Sequence, residues 1–163
     1  MVKKRILFVC LGNIVRSPVA QALFDFYALN HDLAGVWASD SAGTGPWHIG
    51  ESPDPRMLRI AARQGFQYTH QARQVTRLDL ADYDLIVAMD HENYADLLAA
   101  SRTQEQRAKI RMLREWDPVA GGRTSVPDPF YDGLDSFEEV YTVIDRSVQG
   151  LVAELVAKKE SLK

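Results

Sequence analysis

A thiol, a glycine and a guanidinium lie close together in the segment "FVCLGNIVRSP", residues 8–18. Cys10 is the only cysteine of the chain, and Arg16 follows it after five intervening residues. A thiol is a nucleophile when its surroundings hold it as thiolate, and an arginine fork binds two oxygens of one anion. Gly12 lets the backbone approach such an anion closely. The segment therefore predicts a loop that binds a phosphate-like anion beside a nucleophilic sulfur.

A buried strand and a helix flank this loop. Residues 5–10, which are apolar after Arg5, are typical of a buried strand, and residues 17–29 have a helical pattern. Ser17 can cap that helix, and Pro18 suits its first turn. Ligands of open α/β folds bind at the carboxyl edge of the sheet, and the free N–H groups of a helix N-terminus favour an anion. We therefore expect a ligand site here, although the commoner role of a lone cysteine is simple packing.

The rest of the chain alternates between strand and helix patterns. Short apolar runs indicate strands in three further segments: 36–42, 82–90 and 108–115. The last of these runs could equally be helical. Helical spacing occurs at 55–64, where Gly65 suits the C-terminus, and again at about 137–158. The alternation predicts one α/β domain over residues 1–163, with a doubly wound four-stranded parallel sheet and helices on both faces.

Composition and charge exclude several classes of protein. The 163 residues are 46% hydrophobic and 25% charged, which suits a globular domain. A net charge of -3 without long charged blocks argues against general nucleic-acid or membrane-surface binding. No apolar stretch has the length of a membrane span or signal-peptide core, so we interpret the protein as cytoplasmic. One cysteine excludes an intrachain disulfide and cysteine-based zinc sites, and no pattern indicates an oligomeric state.

Five motifs follow one another along the chain: "VCLGNIVRSP", "DSAGTGPWHIG", "THQARQV", "VAMD" and "PDPFYDG". In order and spacing they resemble the low-molecular-weight protein tyrosine phosphatases, and they cover nearly the whole chain. The Cys-x5-Arg pattern alone would be only suggestive, because unrelated phosphatases share it. Its combination with a distant Asp-Pro motif is specific. The resemblance implies hydrolysis of a phosphotyrosine-containing protein or a small aryl phosphate, without metal or cofactor.

The resemblance also implies roles for four catalytic residues. Cys10 would attack phosphorus to form a phosphocysteine, and Arg16 would bind the equatorial oxygens. Asp128 of "VPDPF" would protonate the leaving phenolate and then, as carboxylate, activate the hydrolytic water. The alternative for Asp128 is a turn aspartate before proline. Ser17 would donate a hydrogen bond to the sulfur.

The same resemblance identifies a phosphate-binding loop and its supports. The loop comprises Leu11, Gly12, Asn13, Ile14 and Val15. Asn13 would hold a left-handed backbone turn, with Ser41 and His70 as hydrogen-bond partners. Most relatives have a second cysteine where this chain has Val15, so a sulfenic acid at Cys10 would lack an intramolecular resolving thiol.

Aromatic and imidazole rings are expected to select the substrate. The resemblance places four of them around the phosphotyrosine ring: Trp47, His48, Phe130 and Tyr131. A deep slot between such rings admits a phenyl phosphate and leaves the short phosphoserine stem unable to reach the loop. The alternative, chiefly for Phe130, is that the ring completes the core.

Other activities fit the sequence less well. A related arsenate reductase needs two further cysteines, and a phosphoarginine subgroup has threonine where this chain has Ile14. A cysteine-based phosphoryl carrier or phosphate-binding module would need neither Arg16 nor the Asp-Pro acid. The segment "DPFYDGLDSFEE" partly imitates a calcium loop, but Phe130 occupies a ligand position. We therefore expect no metal site.

Overall fold

The structure is a computed structural model that describes residues 2–162. These residues form a parallel sheet in the order β2-β1-β3-β4. Its strands are β1 (Lys4–Cys10), β2 (Trp37–Gly43), β3 (Leu85–Ala88) and β4 (Ile110–Met112). The α-helices are α1 (Arg16–Asn30), α2 (Pro55–Arg63), α3 (Arg77–Asp82), α4 (His91–Ala100), α5 (Gln104–Ala108) and α6 (Leu134–Ser161). A 3-10 helix, Leu113–Trp116, follows β4.

Successive side chains of β1 face two separate cores. Ile6 and Phe8 face the core formed with α1, α2 and α6. Leu7 and Val9 face the other core, to which α3 and α4 contribute. A strand buried on both faces gives a continuous apolar run, as the sequence of β1 does. The predicted doubly wound parallel sheet with helices on both faces is thus confirmed.

The strand order positions the loop that follows β1. The chain passes from β1 to β2 on one side and then crosses to β3 on the other side. Such a reversal creates a crevice at the carboxyl ends of the strands, where α/β folds bind their ligands. Residues 11–15 connect β1 to α1 at this crevice. The predicted position of the loop, directly after the first strand, is confirmed.

The predicted cap of α1 by Ser17 is wrong. The helix begins at Arg16, Val15 occupies the N-cap position, and no side chain caps the helix. Ser17 is the second helical residue, and its hydroxyl lies close to Cys10 and Asn13. The polar loop therefore takes the hydroxyl that local sequence assigns to a cap.

Several element boundaries differ from the predicted ones. β3 is shorter than the predicted strand at 82–90, and α6 extends beyond 137–158 at both ends. In the ambiguous segment 108–115, a short strand runs directly into the 3-10 helix. Three helices were not predicted: α3, α4 and α5. A side-chain cap begins each of them, from Thr76, Asp90 and Thr103.

No helix among residues 2–162 is both long enough and apolar enough to cross a membrane.

A buried carboxylate joins the end of the 3-10 helix to α6. Asp117 accepts hydrogen bonds from Nε of Arg146 at 2.6 Å and from Nε of Arg114 at 3.0 Å. The hydrogen bond from Arg146 is the main cause that lowers the pKa of Asp117, to about 2, against the opposing effect of burial. The charged form of Asp117 is therefore favoured by the fold.

Replacement of Asp117 by asparagine should lower the free energy of unfolding at neutral pH by about 2 kcal/mol. The native pKa of Asp117 lies below its unfolded value, so its contribution is present above about pH 4 and is lost as the pH falls through about 2. Urea unfolding of both proteins at neutral and acidic pH measures this. The exposed Asp96→Asn on α4 is the control and should change stability by less than about 0.5 kcal/mol. Equal stability of the Asp117 variant and the parent at neutral pH would contradict the prediction.

Candidate active site

Two polar groups converge on the sulfur of Cys10. This residue ends β1 and is only 2% exposed. The backbone N–H of Asn13 donates to Sγ at 3.3 Å, and Oγ of Ser17 lies 3.0 Å from Sγ. Simple packing of a small apolar side chain would require neither contact.

Asn13 lies at the centre of a hydrogen-bond network behind the loop. Its backbone has φ of 57°, in the left-handed region that asparagine tolerates. Its Nδ2 donates to Oγ of Ser17 at 2.8 Å and to Oγ of Ser41 at 3.0 Å. Its Oδ1 accepts from the backbone N–H of Arg73 and lies 2.9 Å from Nε2 of His70. The amide thus uses donors and acceptor together, which holds the loop in one conformation.

The network determines which nitrogen of His70 carries the proton. Oδ1 of Asn13 can only accept, so Nε2 of His70 donates to it. Ser41 donates its own proton to Oε1 of Gln21 at 2.7 Å, which leaves its oxygen to accept from Asn13 and His70. Burial, with help from the nearby Arg73 charge, lowers the pKa of His70. His70 is therefore a neutral donor at neutral pH.

Arg16 is a buried cation at the base of the site, with 2% of its surface exposed. Its Nη1 donates to Oδ2 of Asp90 at 2.7 Å and to the carbonyl of Val126 at 2.9 Å. Its Nη2 lies 3.5 Å from Oδ2 of Asp128. Burial opposes the charge, but Cys10, Asp128 and Asp90 together outweigh burial and raise the pKa of Arg16. Since Nη1 is occupied, Nε and Nη2 are the donors left for an anion.

Asp90 and Val126 were missed by the sequence analysis. Asp90 belongs to the quoted "VAMD" motif, but no role was assigned to it. One of its oxygens caps α4 by accepting from Asn93 N–H at 2.8 Å, and the other holds Arg16. An acid directly after a buried strand, at the ligand edge of the sheet, is the signal that could have identified Asp90. Val126 acts through its backbone, so its side chain carries no signal.

The segment before α6 brings Asp128 to the site. The backbone N–H of Val126 donates to the carbonyl of Met89 at 2.7 Å, which attaches this segment to the end of β3. Oδ1 of Asp128 accepts from the backbone N–H of Phe130 at 3.1 Å. This local bond leaves Oδ2 on the side of Arg16. Asp128 therefore forms the predicted turn and also faces the buried cation.

A cavity of about 430 Å³ opens above the sulfur. Its lining consists of loop residues, the acid and four rings: Cys10, Leu11, Gly12, Ile14, Val15, Arg16, Trp47, His48, Asp128, Phe130 and Tyr131. Asn13, Ser17, Ser41 and His70 do not line the cavity, and the hydrogen-bond network lies behind the loop. The structure thus brings all the predicted residues together, in a lined cavity and a supporting layer.

Two glycines allow the rings of one wall to pack closely. A Cβ on Gly45 would lie 1.8 Å from an atom of the Trp47 ring, so this ring folds directly over the glycine backbone. A Cβ on Gly12 would lie 2.9 Å from Cδ2 of His48. Gly12 thus also leaves room for the close approach of a wall residue, in addition to any role at an anion.

Phe130 and Tyr131 also line the cavity. The ring of Phe130 is partly buried, and its centre lies 5.7 Å from that of His48. Tyr131 is 95% exposed and Trp47 is 68% exposed, so both stand at the mouth of the cavity. Exposed aromatic rings beside a cavity are characteristic of binding surfaces.

The segment that imitates a calcium loop enters α6 at Leu134. A helix over its second half is incompatible with the wrapped ligand loop of such sites. Among residues 2–162, no group of three or more His, Cys, Asp or Glu side chains is placed to hold a metal ion.

Comparison with known proteins decides the family. Residues 5–161 match the family model described as low molecular weight phosphotyrosine protein phosphatase. A low molecular weight protein-tyrosine-phosphatase of Streptomyces coelicolor is 43% identical over 150 residues, which are 91% of this chain and 92% of that protein. The chain belongs to the low-molecular-weight protein tyrosine phosphatase family.

Solved structures share the fold of this low-molecular-weight phosphatase. The crystal structure of a protein tyrosine phosphatase from Entamoeba histolytica superposes with a TM-score of 0.90 and 34% identity, covering 96% of this chain and 99% of that one. The structure of a drosophila arginine phosphatase gives a TM-score of 0.83 and 30% identity, covering 92% and 96%. The fold is thus shared by proteins named for different phosphorylated residues.

Proposed function

We propose that this protein hydrolyses phosphotyrosine monoesters through a phosphocysteine intermediate. The proposal is carried by one observation: the buried sulfur of Cys10, the fork of Arg16 and the carboxyl of Asp128 line one cavity. A nucleophile, an oxyanion donor and an acid within one cavity are the groups that phosphoryl transfer to a thiol requires.

In the first step, the thiolate of Cys10 attacks phosphorus while the bond from phosphorus to the phenolic oxygen breaks. Nε and Nη2 of Arg16 and the N–H groups of the loop bind the phosphoryl oxygens. Asp128 gives its proton to the departing phenolate. Because Oδ1 already accepts from Phe130, we assign the transferred proton to Oδ2. The products of this step are the phenol and the phosphocysteine.

In the second step, water attacks phosphorus and the sulfur departs. Asp128, now a carboxylate, takes a proton from that water. The oxygen of Ser17 accepts from Asn13 at 2.8 Å, so its own proton is available for the sulfur 3.0 Å away. A hydrogen bond from Ser17 stabilises the leaving thiolate. Inorganic phosphate and the free thiolate complete the cycle.

The walls of the cavity support an aromatic substrate. Four rings among the lining residues, together with the sulfur of Cys10, suit a flat phenyl group attached to phosphate. Ile14, an aliphatic lining residue, favours phosphotyrosine over the phosphoarginine substrate that the name of the drosophila relative implies. The position of Asp128 also favours an enzyme over a phosphoryl carrier, because a carrier has no leaving phenolate to protonate.

A panel of matched peptides that carry phosphotyrosine, phosphoserine or phosphoarginine tests this proposal. Phosphate release in the presence of a chelator should be at least about tenfold faster from phosphotyrosine than from either alternative. Faster release from phosphoarginine would overturn the assigned substrate. Accumulation of a stable phosphoprotein without turnover would indicate a carrier instead.

We also propose that residues 1–163 act as one phosphatase domain in the cytoplasm. One continuous sheet and a family match over residues 5–161 support a single domain. A reducing compartment suits a catalytic thiol, because such a thiol must remain free of disulfides.

A further inference from the structure

The ring of Phe130 is supported by a cation outside the cavity. The guanidinium of Arg56, on α2, lies 5.5 Å from the centre of the Phe130 ring and 4.2 Å from that of Phe137. Arg56 itself is not among the residues that line the cavity. A guanidinium at such distances is attracted to an aromatic face. Arg56 therefore contacts the wall from behind.

Asp54 fixes the position of Arg56. Its Oδ2 accepts from Nη2 of Arg56 at 2.8 Å, and its Oδ1 accepts from Nε at 3.1 Å. The same Oδ1 accepts from the backbone N–H of Arg56 at 2.9 Å and so caps α2. A two-point contact of this kind sets the direction of the guanidinium plane. The guanidinium of Arg56 is therefore oriented by Asp54 as well as attracted to the rings of Phe130 and Phe137.

Asp54 also contacts the phosphate-binding loop. Its backbone N–H donates to the carbonyl of Ile14 at 2.8 Å. A continuous chain of contacts thus runs from the loop through Asp54 and Arg56 to Phe130. Each contact in this chain is a directional hydrogen bond or a contact between a cation and a ring.

We propose that Asp54 and Arg56 are positioning residues that hold the Phe130 wall at a fixed distance from the phosphate loop and so favour aromatic over non-aromatic phosphates. This inference rests on the proposed function, since it assigns Phe130 to the substrate pocket. Without Arg56, the ring would lose a contact that restricts it, and an aryl ligand would have to order the ring on binding. The anion site itself would keep its donors.

Measuring the affinity for two ligands separates an effect on the Phe130 wall from an effect on the anion site. Benzylphosphonate has an aryl group and cannot be hydrolysed at its C–P bond, whereas inorganic phosphate occupies only the loop. In isothermal titration calorimetry, Arg56→Ala should weaken benzylphosphonate binding roughly three- to fivefold. The affinity for inorganic phosphate should stay within about twofold, because Arg16 and the loop are unchanged.

Arg63→Ala is the matched control. Arg63 lies on the same helix and pairs with the exposed Glu138 at 3.2 Å, so its replacement removes one arginine and one ion pair of α2. Both affinities should stay at parent values in this variant. Arg56→Lys keeps a cation but not the planar fork, so it should recover only part of the lost affinity for benzylphosphonate.

The outcomes distinguish this inference from the proposed function. If the parent protein binds both ligands, then an equal loss of affinity for both in Arg56→Ala, or no loss for either, would overturn the positioning role. A parent protein that binds neither ligand would overturn the proposed function and this inference together. A purely structural role of Arg56 would alter stability without changing the ratio of the two affinities.

Discussion

Replacing Cys10 with serine is expected to reduce steady-state turnover of phosphotyrosine by roughly 10⁴-fold or more. A serine hydroxyl needs a neighbouring base to become a nucleophile. The side chain of Ser17 contacts the sulfur, and that of Asn13 contacts Ser17, but neither of these side chains is a base. Binding of inorganic phosphate should persist, because Arg16 and the loop backbone remain. Initial rates with a phosphotyrosine peptide and calorimetric titration with phosphate measure the two properties separately.

Arg16→Lys is the informative comparison for Cys10→Ser. It should lose phosphate affinity as well as rate, because an ammonium cannot present the two-donor fork. It should also weaken the attachment of the segment that carries Asp128, since Nη1 of Arg16 donates to both Asp90 and the carbonyl of Val126. Turnover near the parent rate in the Cys10→Ser variant would show that the sulfur is not the nucleophile. Unfolding midpoints near the parent value in Cys10→Ser would exclude a general loss of structure.

The sheet could be predicted because its signals are local and strong. From Ile6 to Cys10, β1 is buried on both faces, so this part is continuously apolar and its identity as a strand follows from composition alone. The helices α3 and α5 gave no such signal. They span six and five residues, too few for a hydrophobic stripe to repeat, and no residue of α5 is buried. Their capping residues, Thr76 and Thr103, can be recognised in the sequence only by a search for helix N-caps.

The phosphate loop could be predicted for a different reason. Cys10, Gly12 and Arg16 lie within seven consecutive residues, so their chemistry can be inferred without knowing the fold. Asp128 lies far away along the chain, and only the family resemblance connected it with Cys10. The attachment of its segment to β3 through Met89 depends on the sheet and has no counterpart in local sequence.

Ser17 shows where local inference fails at the site. A serine before a proline is a common start of a helix, and this pattern favoured a cap. In the structure, its hydroxyl instead contacts the sulfur of Cys10 and the amide of Asn13. Local preference for a cap is worth about 1 kcal/mol, which a buried polar network readily outweighs.

Asp128→Asn is expected to slow cleavage of phosphotyrosine by about 10² to 10⁴. Asparagine can still accept the hydrogen bond from the N–H of Phe130, so the turn remains, whereas the carboxyl group that transfers protons and faces Arg16 is lost. The defect should therefore depend on the leaving group. In single-turnover experiments, release of phenolate from 2,4-dinitrophenyl phosphate should be far less affected, because that anion departs without a proton.

The neighbouring Asp132→Asn is the matched control for this result. Asp132 is an exposed carboxylate in the same segment, so its replacement makes the same change in charge and side-chain type. It should leave cleavage of both substrates within about twofold of the parent rate. After the first step, Asp128→Asn should also accumulate phosphocysteine with the activated substrate, because no carboxylate remains to take a proton from water. A small loss that is equal for both leaving groups would show that Asp128 only forms the turn and that another group supplies the proton.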